Sequence, residues 1–460
     1  MRAFAGLISS IVIRRLFVIA LALTVSTGGP VPLPPGIGAT AALADDDGGG
    51  DDGGGGNRGA SANGEAKDRS SAKVRRTQAK KPVTKAQTRK AVPQRPVLVA
   101  LDLNDSAVTR LRRQGYAVLS DDSLTATGLR VLRLRIPAGV SLNRARTTVV
   151  ALGAAAADLN TIYTPQSSAD CGEDQPCKMR HLIGWPEKLG GACMASPRIG
   201  LVETHVDLRH PALAGQKIEI IDVRPANTRT SDPAHGTGVA SLLVGASGSP
   251  AQGLLPGAEL VVATPFYRSG KGDRAEAAGL IRAIDAVVAR QPDVLNLSLA
   301  GPPNAAVEHV LKAVHALGIP VVAAAGNGGA GSKPLYPAAY DTTLAVTAVT
   351  PGLTIFRRAT RGAHIDIAAP GVDVVVAGKA AGVTRMSGTS FAAPFVTASI
   401  ALMRRGEAGL PVKQIEQAMA RKTQDLGAPG KDAVFGWGLL DASGLCSADS
   451  DNHYVPAGSG

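Results

Sequence analysis

The sequence is poor in aromatic residues, since Phe, Trp and Tyr make up only 3% of its 460 residues. Proteins that bind nucleic acid by stacking bases need aromatic side chains among basic ones. The net charge of +12 is also concentrated, because residues 58–95 hold twelve Lys/Arg against two acidic residues and lack aromatics. A basic excess confined to one tract is weak evidence for a binding domain. We therefore predict no nucleic-acid partner.

The sequence also lacks a hydrophobic run long enough for an ordinary membrane span. The run over residues 16–25 has ten residues, whereas a spanning helix needs about 20. Arg14 and Arg15 precede it, and a small-residue site, Ala42-Leu-Ala44, stands before Asp45. This layout predicts a signal peptide over residues 1–44 and export to the periplasm or the medium. The alternative is an uncleaved N-terminal membrane anchor.

Cysteine is scarce, with four in the chain, and no Cys-x-x-Cys pair points to a metal site. In an exported protein an even number of cysteines favours disulfides. Four cysteines allow three connectivities, and the sequence does not choose among them. One of the three pairs Cys171 with Cys177 and Cys193 with Cys446.

Low complexity separates the N-terminus from a small folded region. Residues 45–95 contain an Asp/Gly tract and then the basic tract, which predict a disordered linker. A DNA-binding arm is the alternative for the basic part. Residues 96–166 read as a small ferredoxin-like α+β module. Its predicted elements are a strand over 97–103, a helix over 106–114 capped by Asp105 or Ser106, a strand over 131–136 and a helix over 142–152. A Cys-containing connector over 167–196 follows.

Residues 197–445 have a different pattern, with buried strand runs alternating with helical segments, and a tail over 446–460 follows. This alternation predicts an α/β domain with a central parallel sheet flanked by helices. Sites in such sheets form at the carboxyl ends of strands. The strands are predicted over 199–202, 217–223, 259–263, 293–299, 319–325, 343–349 and 364–367, and the helices include 275–290 and 305–317.

Three polar residues stand where catalysis could use them. Ser390 precedes an apolar helix predicted over 395–403, and His235 opens a Gly-containing segment. Asn327 follows an apolar strand. A histidine can take the proton of a serine hydroxyl, and an Asn amide can stabilise an oxyanion. Each residue alone has an ordinary interpretation as a helix cap, a structural histidine or a turn residue.

Together these stretches resemble the subtilisin-like serine proteases, the subtilases. The resemblance rests on the segments His235-Gly-Thr-Gly-Val-Ala240, Ala325-Gly-Asn327 and Gly388-Thr-Ser-Phe-Ala-Ala-Pro394, supported by residues 293–299 and 365–371. It covers roughly residues 195–445 and implies a subtilisin-like α/β fold. It also implies a serine endopeptidase with Ser390 as nucleophile, His235 as general base and Asn327 as oxyanion stabiliser.

The family's acid motif is altered in this chain. The family has Asp, then Thr or Ser, then Gly, whereas this sequence has Glu203-Thr204-His205 after the apolar run 199–202. We align Glu203 with the catalytic acid, which orients the histidine. Glutamate is one methylene longer, and His205 stands where the backbone could need a positive φ. Asp207 is the alternative acid.

The resemblance implies further features of the molecule. Residues 293–299 are similar to the strand that lines the family's cleft, and we assign substrate binding to Leu297, Ser298, Leu299 and Ala300. Residues 96–166 are expected to act as an inhibitory prodomain, released by self-cleavage within about 160–196. The family often binds calcium, but the sequence offers no ligand spacing for it, so no metal ligand is assigned.

Three functions remain open at the level of sequence. The first is an exported serine endopeptidase that cleaves a peptide or protein substrate. The second is a catalytically impaired subtilase fold that acts as a peptide-binding module, because the acid motif is altered twice. The third is an esterase or amidase, which shares acyl-transfer chemistry.

Overall fold

The structure is a computed structural model that describes residues 95–165, 176–186, 196–406 and 409–445. The predicted signal peptide, nearly all of the predicted linker and the tail lie outside these residues, as do the side chains of all four cysteines. The predicted anchor and disulfides therefore lie outside the described residues. Within the described part of the chain, no helix combines the length and apolarity that a membrane span requires.

The N-terminal module is a four-stranded antiparallel sheet with two helices. Its elements are β1 (Val97–Leu101), α1 (Asp105–Arg113), β2 (Ala117–Ser123), β3 (Arg130–Arg135), α2 (Leu142–Ala151) and β4 (Ala156–Leu159). The strand order β2-β3-β1-β4 follows the β-α-β-β-α-β connectivity of ferredoxin-like modules.

The module differs from its sequence-based description in two respects. The sequence analysis missed β2, in which four of seven side chains are polar, and β4, which has only four residues. The predicted cap of α1 was also wrong. Asn104 caps this helix by accepting a hydrogen bond from the Ala107 amide (2.9 Å), because the helix begins one residue earlier than its apolar pattern.

Two short elements connect the module to the larger domain. They are β5 (Ile162–Pro165) and α3 (Pro176–Leu182). Residues Met179, Ile183 and Trp185, in and just after α3, are buried in the hydrophobic core of the larger domain. This part of the predicted connector is therefore packed as an integral piece of the larger domain.

The larger domain is built on a nine-stranded sheet with the order β19-β20-β16-β15-β14-β12-β6-β9-β7. All neighbouring pairs are parallel except β19 with β20. Its strands are β6 (Arg198–Val202), β7 (Lys217–Asp222), β9 (Glu259–Thr264), β12 (Val294–Leu297), β14 (Val321–Ala324), β15 (Leu344–Val349), β16 (Ile367–Pro370), β19 (Thr423–Gln424) and β20 (Leu439–Leu440). The central strands β12, β14, β15 and β16 are fully buried, as expected of a parallel sheet covered on both faces.

Shorter strands and five helices complete the domain. The strands are β8 (Arg229–Thr230), β10 (Tyr267–Ser269), β11 (Gly272–Glu276), β13 (Leu299–Ala300), β17 (Val374–Ala377) and β18 (Val383–Met386). The helices are α4 (Pro233–Val244), α5 (Ala277–Val288), α6 (Ala305–Ala316), α7 (Thr389–Gly406) and α8 (Val412–Arg421). Strand β5 joins a second sheet with the order β13-β5-β11-β10-β8, while β17 pairs with β18.

The α/β architecture with a central parallel sheet flanked by helices matches the prediction, but several boundaries do not. The strand predicted over 364–367 lies three residues later, as β16. The run predicted over 293–299 is interrupted at Ser298 and forms two strands, β12 and β13. The helix predicted over 395–403 begins at Thr389 as α7, so Ser390 lies inside its first turn.

The core forms two large hydrophobic clusters. One contains residues of α4 and α7, such as Val239 and Phe395. The other contains residues of α5 and α6, such as Ile284 and Val310, together with Leu101 and other apolar residues of the N-terminal module. The module therefore shares a continuous apolar core with one side of the larger domain.

Candidate active site

Three polar side chains follow three neighbouring strands of the main sheet. Glu203 follows β6, Ser298 follows β12, and Asn327 comes three residues after β14. These strands are parallel and in register, with Leu297 opposite both Val202 and Ala323. Because their carboxyl ends lie at the same edge, the sheet collects these side chains where α/β proteins form their sites.

His235 lies in the first turn of α4, beside the end of β6. The helix is capped by Asp232, which accepts a hydrogen bond from the Ala234 amide (3.0 Å). The Gly236 amide donates to Thr204 Oγ1 (2.8 Å). A Cβ at Gly236 would lie 2.5 Å from the Thr204 carbonyl oxygen, so glycine is needed for this approach of helix to strand. The helix start is thereby fixed against the residue that follows Glu203.

Ser390 is the second residue of α7 and is completely buried. Its Oγ donates to the Ser298 carbonyl oxygen (3.1 Å), and Ser298 Oγ donates to the Ser390 carbonyl oxygen (3.0 Å). The next residue, Phe391, packs against His235 with ring centroids 5.4 Å apart. These contacts hold the start of α7 between the end of β12 and the start of α4.

Asn327 lies against the residue that precedes Ser390. Its side-chain Oδ1 accepts hydrogen bonds from both the amide and the hydroxyl of Thr389, each at 3.2 Å. Since the amide oxygen is held by Thr389, the Nδ2 end of the planar amide is directed away from that residue. The amide is thereby fixed beside the first turn of α7.

Glu203 is buried (1% exposed) and folds back over its own backbone. Its Oε2 accepts a hydrogen bond from the Thr204 amide (2.5 Å), and its Oε1 lies 2.7 Å from His235 Nδ1. The second contact meets the distance of a hydrogen bond but not the direction. The extra methylene therefore brings the carboxylate to the histidine but leaves the approach out of line.

Further charges surround this pair. Arg268 contacts Asp232 (3.0 Å) and Asp273 (3.2 Å), and Asp273 Oδ2 accepts from the Asp232 amide (3.1 Å). Burial raises the pKa of the Asp273 carboxyl, and the charges of Asp232 and Glu203 act in the same direction. Asp273 therefore lies close enough to Asp232 and Glu203 for their charges to oppose its ionisation, while Arg268 favours it.

The sequence singled out two residues close to Glu203, His205 and Asp207, and the structure shows the contacts of both. His205 is not among the described non-glycine residues with a positive φ, and its amide donates to Ser231 Oγ (2.9 Å). Asp207 forms an ion pair with Arg209 (2.9 Å), and this hydrogen bond lowers the pKa of Asp207. The carboxylate of Asp207 is thus engaged away from His235, whereas Glu203 contacts the ring.

The residues assigned to substrate binding lie along one side of a slot, which is the gap between β13 and β11 that a single extended strand can occupy. Leu297 ends β12, and Ser298 exchanges hydrogen bonds with Ser390. Leu299 and Ala300 form β13, which pairs antiparallel with β5 of the chain itself. On its other side β5 pairs antiparallel with β11. An extended segment thus fills the slot between β13 and β11.

The side chains of the described residues also decide whether a metal ion has ligands here. They contain no group of three or more His, Cys, Asp or Glu side chains that could hold a metal ion. The calcium that the family resemblance allows therefore has no ligands assigned among the residues that the structure describes.

The sequence analysis missed two supporting residues. Thr204 links the Glu203 carboxylate to the helix of His235, and Thr389 holds the amide of Asn327. Both stand directly beside a predicted site residue. Their position next to a predicted site residue was the signal that the sequence offered for their supporting role. The direction of each hydrogen bond, however, depends on tertiary contacts.

Comparison with known proteins agrees with this geometry. The Subtilase family (Peptidase S8) matches residues 195–438. The chain is 31% identical over 212 residues to the minor extracellular protease Epr of Bacillus subtilis, covering 45% of this chain and 32% of that protein. It is 29% identical over 255 residues to subtilisin DY of Bacillus licheniformis (54% and 89% covered). It is 31% identical over 221 residues to subtilisin Savinase of Lederbergia lenta (47% and 80% covered).

Among solved structures, the fold is similar to that of fervidolysin from Fervidobacterium pennivorans, described as a keratinolytic enzyme related to subtilisin. The TM-score is 0.61 at 19% identity, covering 76% of this chain and 60% of the other. That likeness concerns the fold alone. The family match spans more than half of the chain and contains Glu203, His235, Asn327 and Ser390. The chain therefore belongs to the subtilase family of serine proteases.

Proposed function

We propose that this protein is an exported serine endopeptidase with the catalytic set Ser390, His235 and Glu203, made as a self-processing zymogen. The observation that carries the proposal is the convergence of β6, β14, α4 and α7 on one edge of the sheet. Each of these elements brings one of the residues that acyl transfer needs.

In the proposed reaction, Ser390 Oγ attacks the carbonyl carbon of the scissile peptide bond while its proton passes to His235 Nε2. The amide of Asn327 stabilises the oxyanion that forms. The C–N bond then breaks, and the leaving amine takes the proton from His235. Water, deprotonated by His235, attacks the acyl-enzyme and releases the second product. Because Ser390 Oγ bonds the Ser298 carbonyl in this structure, it must first rotate towards His235.

Glu203 is assigned the role of orienting His235 and stabilising its imidazolium form. The 2.7 Å contact between Oε1 and Nδ1 supports this role. The out-of-line direction of that contact predicts slower chemistry than a well-aligned acid would give, since a misplacement of about 1 Å can cost on the order of 10²-fold in rate.

We infer that the N-terminal module is the inhibitory prodomain. Its trailing strand β5 fills the slot between β13 and β11, with Thr164 opposite Ala300 and Pro165 opposite Leu299. Tyr163 in this strand is fully buried. A peptide substrate would compete for the same backbone pairing, so the module blocks the cleft while it is bound.

The module also caps two helices of the larger domain. The Ala277 amide at the start of α5 donates to the Thr161 carbonyl oxygen (2.8 Å). The Ala305 amide at the start of α6 donates to Asp158 Oδ2 (3.1 Å). These bonds satisfy amides that a helix leaves unpaired at its N-terminus, which supports a role for the module in folding.

The register of β5 narrows the range of residues in which we expect self-cleavage. The expected segment, residues 160–196, includes two stretches outside the described residues. Within the described part, β5 runs antiparallel to β13 and ends at Pro165, opposite Leu299. The residue before Leu299 in the chain is Ser298, which contacts Ser390. We therefore expect cleavage within one or two residues after Pro165.

Export is proposed from the signal-like sequence over residues 1–44. Epr, one of the relatives, is described as an extracellular protease. An uncleaved N-terminal anchor remains the alternative, and both concern residues outside the described part of the chain.

The second candidate function is a peptide-binding subtilase fold with impaired catalysis. The observation that favours it is the poor direction of the contact between His235 and Glu203. An esterase or amidase would use the same side chains and would differ only in the bond of the substrate that it cleaves.

One experiment separates these functions. The purified full-length protein and its Ser390→Ala variant are incubated with a serine-directed phosphonate, and their sizes and new N-termini are determined by mass spectrometry. The proposal predicts labelling and self-cleavage of the wild type alone. A wild type that is neither labelled nor cleaved would contradict the endopeptidase proposal and favour the binding function. Comparison of peptide and ester turnover then distinguishes an endopeptidase from an esterase.

A further inference from the structure

A series of buried hydrogen bonds leads from the middle of α7 back to its first turn. The Thr397 hydroxyl donates to Asn296 Oδ1 (2.8 Å), and Asn296 Nδ2 donates to Ser298 Oγ (2.8 Å). Ser298 Oγ in turn donates to the Ser390 carbonyl oxygen (3.0 Å). All four residues are completely buried. Helix α7 is therefore connected to its own start through one residue of β12 and one residue just after that strand.

The first turn of α7 needs a donor from outside the helix because of a proline. Pro394 lies inside the helix, four residues after Ser390. A proline has no amide N–H, so it cannot donate the helical hydrogen bond that the Ser390 carbonyl oxygen would otherwise accept. The hydroxyl of Ser298 donates to this oxygen instead. The position of the Ser390 backbone thus depends on a side chain that does not belong to α7.

The direction of these hydrogen bonds is set by Thr397. The side-chain amide of Asn296 can face Ser298 with its nitrogen or with its oxygen. Because Oδ1 accepts from Thr397, the nitrogen faces Ser298, and the Ser298 proton is left for the Ser390 carbonyl. With the amide turned over, Ser298 would donate to Asn296, and the Ser390 carbonyl would lose this donor.

The Thr397 hydroxyl has a second acceptor within reach, the Ala393 carbonyl oxygen at 3.0 Å. That oxygen also accepts the helical hydrogen bond of the Thr397 amide. Asn296 Oδ1, in contrast, has no other donor among the described residues. A buried acceptor without a donor is costly, so donation of the hydroxyl proton to Asn296 is favoured.

We propose that Thr397 and Asn296 are positioning residues for the nucleophile, which direct the Ser298 hydroxyl and through it hold the backbone of Ser390. This inference rests on the proposed role of Ser390. Both residues act through Ser298 rather than on the substrate. Loss of the Thr397 hydroxyl should therefore lower kcat, because the nucleophile is misplaced, and should leave KM nearly unchanged.

The inference is tested first without catalysis. In the full-length chain carrying Ser390→Ala, residue 390 keeps its carbonyl, and amide hydrogen exchange over residues 388–393 is followed by mass spectrometry. This segment includes the Phe391 amide, which donates to the Gly388 carbonyl oxygen (3.0 Å). Added Thr397→Val should speed up exchange about tenfold, because the start of α7 opens more readily. Thr397→Ser keeps the hydroxyl and should stay within about threefold of the parent chain.

The second readout is peptide hydrolysis by the processed enzyme. Thr397→Val should lower kcat about tenfold with KM within about twofold of wild type, and Thr397→Ser should restore kcat. Valine places a methyl group against Asn296, so Thr397→Ala serves as a second variant without the hydroxyl. The matched control is Ser399→Ala. Ser399 is equally buried on α7, but its hydroxyl donates within the helix, to the Phe395 carbonyl oxygen (2.9 Å).

The control should change kcat less than about twofold, since its hydrogen bond does not lead to Ser390. Unchanged exchange and unchanged kcat in both Thr397→Val and Thr397→Ala would overturn the inference. An equal loss of kcat in Ser399→Ala would also overturn it, because general packing of α7 would then explain the effect. Absence of peptidase activity in wild type would instead overturn the proposed function. The exchange experiment would still decide whether Thr397 holds the start of α7, because it does not depend on turnover.

Discussion

Two buried carboxylates of this protein, Glu203 and Asp285, are held in different ways. Glu203 has one backbone amide as a hydrogen-bond donor, from Thr204, and a histidine ring at 2.7 Å. Asp285 is surrounded by four neutral donors of the N-terminal module. A carboxylate next to a titratable ring interacts more strongly with that ring when the ring becomes charged. Neutral donors do not change their charge, so they only hold a carboxylate in place. The comparison separates the proposed catalytic acid, Glu203, from Asp285, a residue that binds the module.

The starts of the helices show the same division. Helices α4 and α7 carry His235 and Ser390 in their first turns, at the cleft. Helices α5 and α6 begin against the module, which caps them through Thr161 and Asp158. Two helix starts thus carry proposed catalytic residues, and two hold the module.

The largest expected effect within this comparison comes from removing the charge at Glu203. Glu203→Gln keeps the side-chain length but cannot stabilise the imidazolium, so kcat/KM for a peptide substrate should fall by up to about 10⁴-fold. The measurement is steady-state peptide hydrolysis by the processed enzyme. A loss below tenfold would mean that Glu203 is not the working acid.

Asn327→Ala should lower kcat by about 10²- to 10³-fold with little change in KM, because an oxyanion donor acts mainly in the transition state. Asn327 also holds Thr389, so the thermal midpoint of each variant must be measured beside the kinetics. Thr389→Ser, which keeps the hydroxyl donor, serves as the control. Equal losses of kcat in both variants would assign Asn327 a structural role.

A smaller effect is expected when the link between Glu203 and α4 is weakened. Thr204→Val removes the hydroxyl that accepts from the Gly236 amide and leaves this amide unpaired. We expect kcat/KM to fall about tenfold, since a lost hydrogen bond of this kind is worth roughly 1–2 kcal/mol. Thr204→Ser should restore the rate, and failure of this rescue would argue against the positioning role.

The smallest effect on turnover is expected at the other carboxylate. After complete processing and departure of the module, Asp285→Asn should hydrolyse peptide within about twofold of the wild-type kcat/KM, because the described hydrogen bonds of its carboxylate all come from the module. The measurement uses enzyme titrated with the phosphonate, so that only active molecules count. A large loss of kcat/KM would erase the distinction between the two carboxylates.

The sequence predicted the α/β fold because long apolar runs such as 343–349 alternate with helical segments, and β15 follows that run closely. Short polar strands such as β10 and β11 were missed, since their pairing depends on partners distant in sequence. His235, Asn327 and Ser390 could be identified from the sequence because each stands in a small-residue segment next to a long element. The buried position of Asp285 could not be predicted, because an acidic residue in an amphipathic helix pattern resembles an ordinary surface position.

The sequence by itself determined which side chains are available: an acid after β6, a histidine and a serine at helix starts, and an amide after β14. It could not determine how Glu203 approaches His235, because one methylene changes a direction that depends on the backbone of Thr204 and on the position of α4. Nor could it determine that β5 enters the slot between β11 and β13, since backbone hydrogen bonds carry no side-chain signature. The tertiary structure decided both, by closing strands and helices far apart in the chain around one edge of the sheet.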